Sequence, residues 1–286
     1  MFFRALFFQF ELTTPARDDM LKAKFRPMAD NREGLQMQKL KKIDIHVHSV
    51  PERFIERMGA EGGGYATPAE LRTIYDRFNI EGGVLLPEGP HAECSYDTLS
   101  QREACRMVEA HPETFVGWFC NINPLMGDNA VDTDLSFFLL QLKAKGAKGI
   151  GELTLNRPFD DPYVLNLFHH AERCGMPVTF HIGAPGGHDY GLIDEIGLPR
   201  LEKVLKMFPG LRFLGHSQKF WAEVGGGLTQ EERAGYPTGK VQPGGRVVEL
   251  MRRYPNLCGD LSAGSGCNAM MRDPEFAAGF MEEFQD

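Results

Sequence analysis

Apolar positions along this chain alternate between two periods. Short, nearly continuous apolar runs fall at residues 43–48, 82–87, 115–120, 149–153, 177–182, 211–216 and 257–262, most of them flanked by Gly, Pro or Asn. Such runs predict strands buried on both faces. Between them the apolar residues recur every three or four positions. Leu71, Ile74, Tyr75 and Phe78 form one such stripe; Leu135, Phe138, Leu139 and Leu142 another. Leu201, Val204, Leu205 and Phe208, then Val247, Leu250, Met251 and Tyr254, repeat the pattern. This spacing predicts amphipathic helices. A further helix is predicted over about residues 98–110. Thr67-Pro68-Ala69-Glu70, Asp161-Pro162 and Asp273-Pro274-Glu275 are helix starts, with a capping side chain followed by Pro at the first position. The second of these helices ends near Cys174-Gly175, and the third runs to the end of the chain.

Seven strand–helix units in strict alternation predict a parallel sheet with helices outside it. A doubly wound sheet and a (β/α)8 barrel both fit. Polar residues of one chemical kind recur at the strand C-termini: His46 and His48, Glu152, His181, His216 and Asp260. In a barrel those ends share one mouth; in an open sheet, strands far from the switch point do not. The expected fold is therefore α/β, a distorted (β/α)8 TIM barrel over 43–286 with seven units visible and no eighth strand.

Residues 1–42 read as an N-terminal extension outside this domain, poorly ordered, with Met37 a natural start. The apolar stretch 1–10 is too short for a secretory signal and lacks a clear cleavage site. No apolar run approaches the roughly 20 residues that span a bilayer. The 31 Lys and Arg against 39 Asp and Glu give a formal charge of −8. That balance argues against nucleic acid or an anionic membrane as partner and leaves a small-molecule substrate. The six cysteines are scattered, with no Cys-x-x-Cys pair, and read as reduced thiols of a cytoplasmic protein.

The chemistry centres on Ile43-Asp44-Ile45-His46-Val47-His48. Residues i and i+2 of a strand share a face, so the two imidazoles leave the backbone side by side, suited to one metal ion. An isolated His-x-His is more often an ordinary polar strand face. Its company, His181 and His216 at later strand ends, raises the metal reading. His46, His48 and His181 then supply three protein ligands and leave a position for water, whose pKa a bound metal lowers towards about 7. Glu152 is either a further ligand, a partner holding a ligand histidine, or a buried carboxylate near the site. Asp44 shares the histidines' face, as a supporting carboxylate or as a polar strand start.

The opening Asp-x-His-x-His, the Gly-x-Gly-Glu ending at Glu152, the Pro-Val-x-x-His ending at His181 and the Gly-His-Ser at 215–217 resemble the amidohydrolase-related barrel proteins. The branch resembled includes aminocarboxymuconate-semialdehyde decarboxylase and related small-acid decarboxylases. The resemblance covers about 43–286. It implies a distorted (β/α)8 barrel, one divalent ion, usually zinc, bound by His46, His48 and His181, and His216 as the catalytic acid/base or water-orienting residue. It also implies an aspartate at the end of an eighth strand, in a Gly-[Ser/Thr]-Asp tract. Asp260 lies on the seventh strand and does not match that tract, so a C-terminal truncation is expected. Homodimers are frequent in the family, though the sequence carries no interface signature.

Two Gly-rich stretches, 184–197 and 217–245, follow strands bearing candidate histidines and are expected over the mouth. Phe220-Trp221 either lines a substrate pocket or packs locally. His91, His111, His169 and His170 read as surface residues, and so, less firmly, does His188. The function expected is a metal-dependent hydrolase acting on a small amide, lactone or ester. The alternatives are non-oxidative decarboxylation of a small unsaturated or aromatic acid, with Arg53, Arg72 or Arg157 as carboxylate anchor, and a catalytically inactive barrel that binds a ligand.

Overall fold

A computed structural model describes residues 41–52, 65–87, 98–126, 130–186 and 190–285. Residues 1–40 of the N-terminal extension, and Arg53, His91, Cys94 and His188, lie outside the described residues. The elements run β1 (Lys42–Val47), α1 (Pro68–Phe78), β2 (Ile80–Leu85), α2 (Gln101–Ala110), β3 (Phe115–Cys120), α3 (Ser136–Ala144), β4 (Ala147–Leu153), α4 (Pro162–Cys174), β5 (Val178–Gly183), β6 (Leu192–Ile193) and α5 (Pro199–Met207). They continue with β7 (Phe213–His216), α6 (Gln218–Ala222), α7 (Gln230–Ala234), α8 (Arg246–Arg253), β8 (Leu257–Gly259), α9 (Ala263–Met271) and α10 (Pro274–Glu283). The sixth and seventh predicted strands are thus β7 and β8.

Every neighbouring pair in the order β1-β2-β3-β4-β5-β7-β8 is parallel, and the two-residue β6 adds to β5. The sheet curls into an incomplete, distorted barrel with helices alternating outside it. The curl is visible in one contact. β1 and β8 are the two ends of the strand order, yet His46 Nδ1 and Asp260 Oδ2 meet at 2.7 Å.

Local chemistry accounts for the helix starts. The Glu70 carboxylate accepts from the Thr67 backbone N–H at 2.9 Å, Asp161 accepts from Tyr163 N–H at 2.9 Å, and Asp273 accepts from Phe276 N–H at 3.3 Å. α2 begins at Gln101 because Ser100 and Glu103 form a reciprocal cap there. The stripes face inward: Leu71 and Tyr75 on α1, Leu201, Val204 and Leu205 on α5, and Val247, Leu250 and Met251 on α8 are buried. All of β5 is buried, and its Phe180 stacks edge-on with Phe159 and Phe213, the latter also packed on Phe168 of α4. Each such side chain contributes about 1.5–3 kcal/mol by leaving water.

Several expectations need correction. His170 is not a surface residue: it is buried between α3 and α4, with Nδ1 2.6 Å from Ser136 Oγ. His111 and His169 are exposed or partly so. Of the two readings left open for Phe220 and Trp221, the structure shows packing: both are buried in the core. Bare backbone makes room for them. A methyl on Gly215 would lie 2.2 Å from the Phe220 ring, and one on Gly259 2.7 Å from the Trp221 ring. The 217–245 stretch carries α6 and α7, and α9 fills the interval before Asp273, none of them foreseen. Cys105, Cys120, Cys174, Cys258 and Cys267 are free thiols. No helix among the described residues is long and apolar enough to cross a membrane.

Candidate metal centre

The strand C-termini bring the candidate residues together. β1 delivers His46, with His48 just past its end, β4 delivers Glu152, and β5 and β7 deliver His181 and His216 as direct partners in register. His46, Glu152, His181, His216 and Asp260 are all buried, and His48 is partly so.

Each imidazole is held by one ring nitrogen. His46 Nδ1 lies 2.7 Å from Asp260 Oδ2, His48 Nδ1 3.1 Å from the Leu86 carbonyl, and His181 Nδ1 3.0 Å from the Tyr190 carbonyl. An oxygen acceptor at Nδ1 fixes the proton there and turns Nε2 towards the cavity. His46 Nε2 and His48 Nε2 consequently face each other at 3.2 Å. Glu152 Oε2 is 3.9 Å from His46 Nε2, and Glu152 Oε1 is 3.8 Å from His216 Nε2.

Two sets of ligand atoms fall within 4.8 Å of one another: His46, His48 and Glu152, and His46, His216 and Asp260. His181 belongs to neither set; its ring lies 5.9 Å from that of His216 and 4.4 Å from Tyr190. Two donors about 2.1 Å from a tetrahedral zinc stand about 3.4 Å apart, so the 3.2 Å separation of the paired Nε2 atoms fits a shared ion. Two imidazoles with a carboxylate beside them are an ordinary zinc donor set.

The charges favour a cation. Burial works against a charged His46 ring, yet Asp260, Glu152 and Asp44 together raise it to about 9. Burial also opposes ionisation of Asp260, but His46, His216 and Ser262 hold it well below the usual carboxylate range. Burial pushes His216 down to about 3, so this ring is neutral at physiological pH. His48 is lowered by burial and by the neighbouring His46. The cavity therefore gathers carboxylates around imidazoles and favours positive charge at the His46 ring, a charge that an ion bound at Nε2 would supply in place of a proton.

Sequence reasoning left three contributors without a role. Asp260 orients His46, and its own backbone is fixed twice, by Gly215 O accepting from Asp260 N–H at 2.9 Å and by Trp221 Nε1–H donating to Asp260 O at 2.7 Å. Ser262 Oγ lies 3.0 Å from His216 Nδ1 and leaves His216 Nε2 towards Glu152. Tyr75 donates to Asp44 Oδ2 at 3.0 Å while Asp44 Oδ1 accepts the His46 backbone N–H at 3.1 Å. Asp44 thus braces the strand rather than a ring. Asp260 was legible as a polar residue at a strand end; its pairing with β1 was not, because that needs the curl.

The segments that follow β5 and β7 are tied together. Arg233, fully buried, donates from Nε to Glu223 Oε1 at 2.6 Å, from Nη1 to Asp194 O at 3.0 Å and from Nη2 to Glu195 O at 3.2 Å. Glu223 Oε2 accepts from Gly197 N–H at 2.8 Å. Residues after β5 and after β7 are thereby joined by one guanidinium. Of the arginines considered as carboxylate anchors, Arg157 pairs with Asp161 at 2.9 Å. Arg72 binds the Ile80, Glu81 and Glu113 carbonyls, at the opposite end of β2 from the site.

No protein-family model matches the chain, and no curated protein matches it either. Among solved structures it is similar to a probable 2-pyrone-4,6-dicarboxylic acid hydrolase from Acinetobacter baumannii, at 13% identity, covering 86% of this chain and 79% of that one, with a TM-score of 0.46. A 2,6-dihydroxybenzoate decarboxylase from Rhizobium shows 12% identity over 82% and 84% of the two chains, TM-score 0.42. The 5-carboxyvanillate decarboxylase LigW from Sphingomonas paucimobilis shows 16% identity over 74% and 75%, TM-score 0.36.

Proposed function

We propose that this chain is a metal-dependent hydrolase of a small amide, lactone or ester. The observation that carries the reading is the pair of imidazole Nε2 atoms 3.2 Å apart, each ring anchored through Nδ1 and with Glu152 close by. In this reading His46, His48 and Glu152 hold one divalent ion, with zinc the best match to the donors. His181 stands one ring away, beside His216, as a further ligand or a substrate contact. When bound, the ion would polarise a carbonyl oxygen and lower the pKa of a coordinated water.

The remaining chemistry belongs to the chain. His216 is held at Nδ1 by Ser262, which leaves its Nε2 to exchange a proton with water or orient it. Asp260 keeps the His46 ring in one tautomer. The Tyr190 backbone and the Arg233 clasp position the loops above. Decarboxylation is the weaker reading: of the arginines considered as carboxylate anchors, Arg72 and Arg157 are bound elsewhere.

The test is to purify the chain with added zinc, measure metal by elemental analysis, and assay lactones, esters and amides beside small unsaturated and aromatic acids. Stoichiometric metal with chelator-sensitive acid, alcohol or amine release supports the proposal. Carbon dioxide release without hydrolysis moves the assignment to a decarboxylase. Absence of both metal and turnover points to an inactive barrel that binds a ligand.

A further inference from the structure

A cavity of about 480 Å³ that shares no lining residue with the histidine cluster opens between Gly225–Leu228, the 235–242 stretch and Arg272, the residue that caps the C-terminus of α9. Arg272 Nε and Nη2 are buried and have no hydrogen-bond partner. These two nitrogens form one edge of the guanidinium, the edge that grips two oxygens of a carboxylate or phosphate at once. Leaving charged donors buried and unmet is costly, and few buried polar groups in folded proteins are left so.

The carboxylates nearby have other work. Asp273 accepts from the Val241 and Phe276 backbone N–H groups, Glu232 from Thr229, and Glu275 pairs with Lys240 at 3.3 Å. Glu231, exposed on the cavity wall, is the competing anion within the chain. The loop facing Arg272 is bare backbone. A methyl on Gly225 would lie 3.3 Å from Nη2, and Gly226 has no room for one beside Pro243 O at 2.3 Å. The size is within the range of small-molecule sites, and Lys240, paired with Glu275, also lines the wall.

We infer that this cavity is an oxyanion site, in which the Nε/Nη2 edge of Arg272 holds the carboxylate or phosphate group of a small molecule. Burial lowers the Arg272 pKa only from an ordinary value far above neutrality, so the guanidinium keeps its charge there. The edge is closed to water beneath Gly225, so the 225–242 stretch yields when the anion enters. The inference does not depend on the hydrolase reading.

The test is calorimetric titration of the full chain with inorganic phosphate and, separately, with acetate, chloride holding the ionic strength constant. Saturable one-to-one binding of either anion is expected, and the better of the two identifies the class of group. Arg272→Met should weaken it at least tenfold. Arg272→Lys, a point charge without the fork, should weaken it several-fold. Gly225→Ala keeps the arginine but crowds its edge, and should also weaken binding, so it decides the matter if Arg272→Met does not fold. Absence of saturable binding by both anions overturns the inference. So does binding that survives intact in both the Arg272→Met and Gly225→Ala proteins, or that is lost in His46→Ala instead.

Discussion

His46 on β1 and Asp260 just past β8 stand 214 positions apart in sequence and 2.7 Å apart in space. The contact ties the first strand of the sheet to the last, and it fixes which nitrogen of His46 faces the cavity. A carboxylate behind a metal-binding imidazole typically contributes about 10–100-fold in metal affinity. Asp260→Ala is therefore expected to weaken zinc binding by about that factor. Asp260→Asn, which can still accept from Nδ1–H, should lose less. Competition against a chromogenic chelator measures both, and unchanged affinity in the alanine variant would remove Asp260 from this role.

The histidines should divide into two phenotypes. His48→Ala is expected to lose stoichiometric zinc. His216→Ala should retain the ion and lose turnover by about 10²–10⁴-fold, the usual contribution of a proton-transfer group. Elemental analysis alongside the hydrolase assay separates the two. Zinc retained at full stoichiometry in His48→Ala, or near-normal rates in His216→Ala, would each contradict the assignment.

Arg233 and Glu223 form a buried ion pair with further hydrogen bonds to two loop carbonyls and one loop N–H. Removing one partner strands the other charge away from water, at about 3–5 kcal/mol. Arg233→Met should show a loss of that order in urea unfolding. Arg233→Met combined with Glu223→Gln should recover part of it.

Gly215 faces the Phe220 ring at a distance that excludes even a methyl group. Gly215→Ala is expected to cost about 1–3 kcal/mol through overpacking, and Phe220→Leu should partly rescue it. A double-mutant cycle on thermal unfolding reads the coupling directly; strict additivity would mean the two do not press on each other.

Glu202 gives a pH signature. The Tyr254 hydroxyl, working with Lys206 and Arg246 against a burial cost, holds its carboxyl down to about 2 from an ordinary 4.5. A group depressed on folding adds stability that is fully present above its unfolded pKa and is lost as pH falls through the folded one. Glu202→Gln should thus lower the Tm at pH 7 and converge on the parent as pH drops from about 4.5 towards 2. A Tm difference that persists unchanged at pH 2 would assign the effect to packing instead.

Much of this architecture was written in short-range pattern. The apolar runs marked the seven principal strands, the stripes marked the faces of α1, α5 and α8, and Thr67, Asp161 and Asp273 marked helix starts. His46 and His48 were legible because a strand places i and i+2 on one face; His181 and His216 because they end apolar runs. What pattern did not carry was anything set by approach between distant segments. Asp260 was assigned no partner, since only the curl of the sheet brings it to His46. Glu152 joins the His-x-His pair in one set of ligand atoms, and that depends on strand stagger. His170 looked like a solvated helix residue until Ser136 of α3 met it. α9 escaped notice because Ala263-Gly264-Ser265-Gly266 reads as a loop by composition.

The single guanidinium that clasps the segments after β5 and β7 also limits how this protein can be re-engineered. Swapping one of those segments for a foreign version discards half of a shared buckle, and the abandoned charge would unsettle the half that stays. Grafts meant to change what enters the mouth should therefore move both segments as a matched set, with Arg233 and Glu223 travelling together.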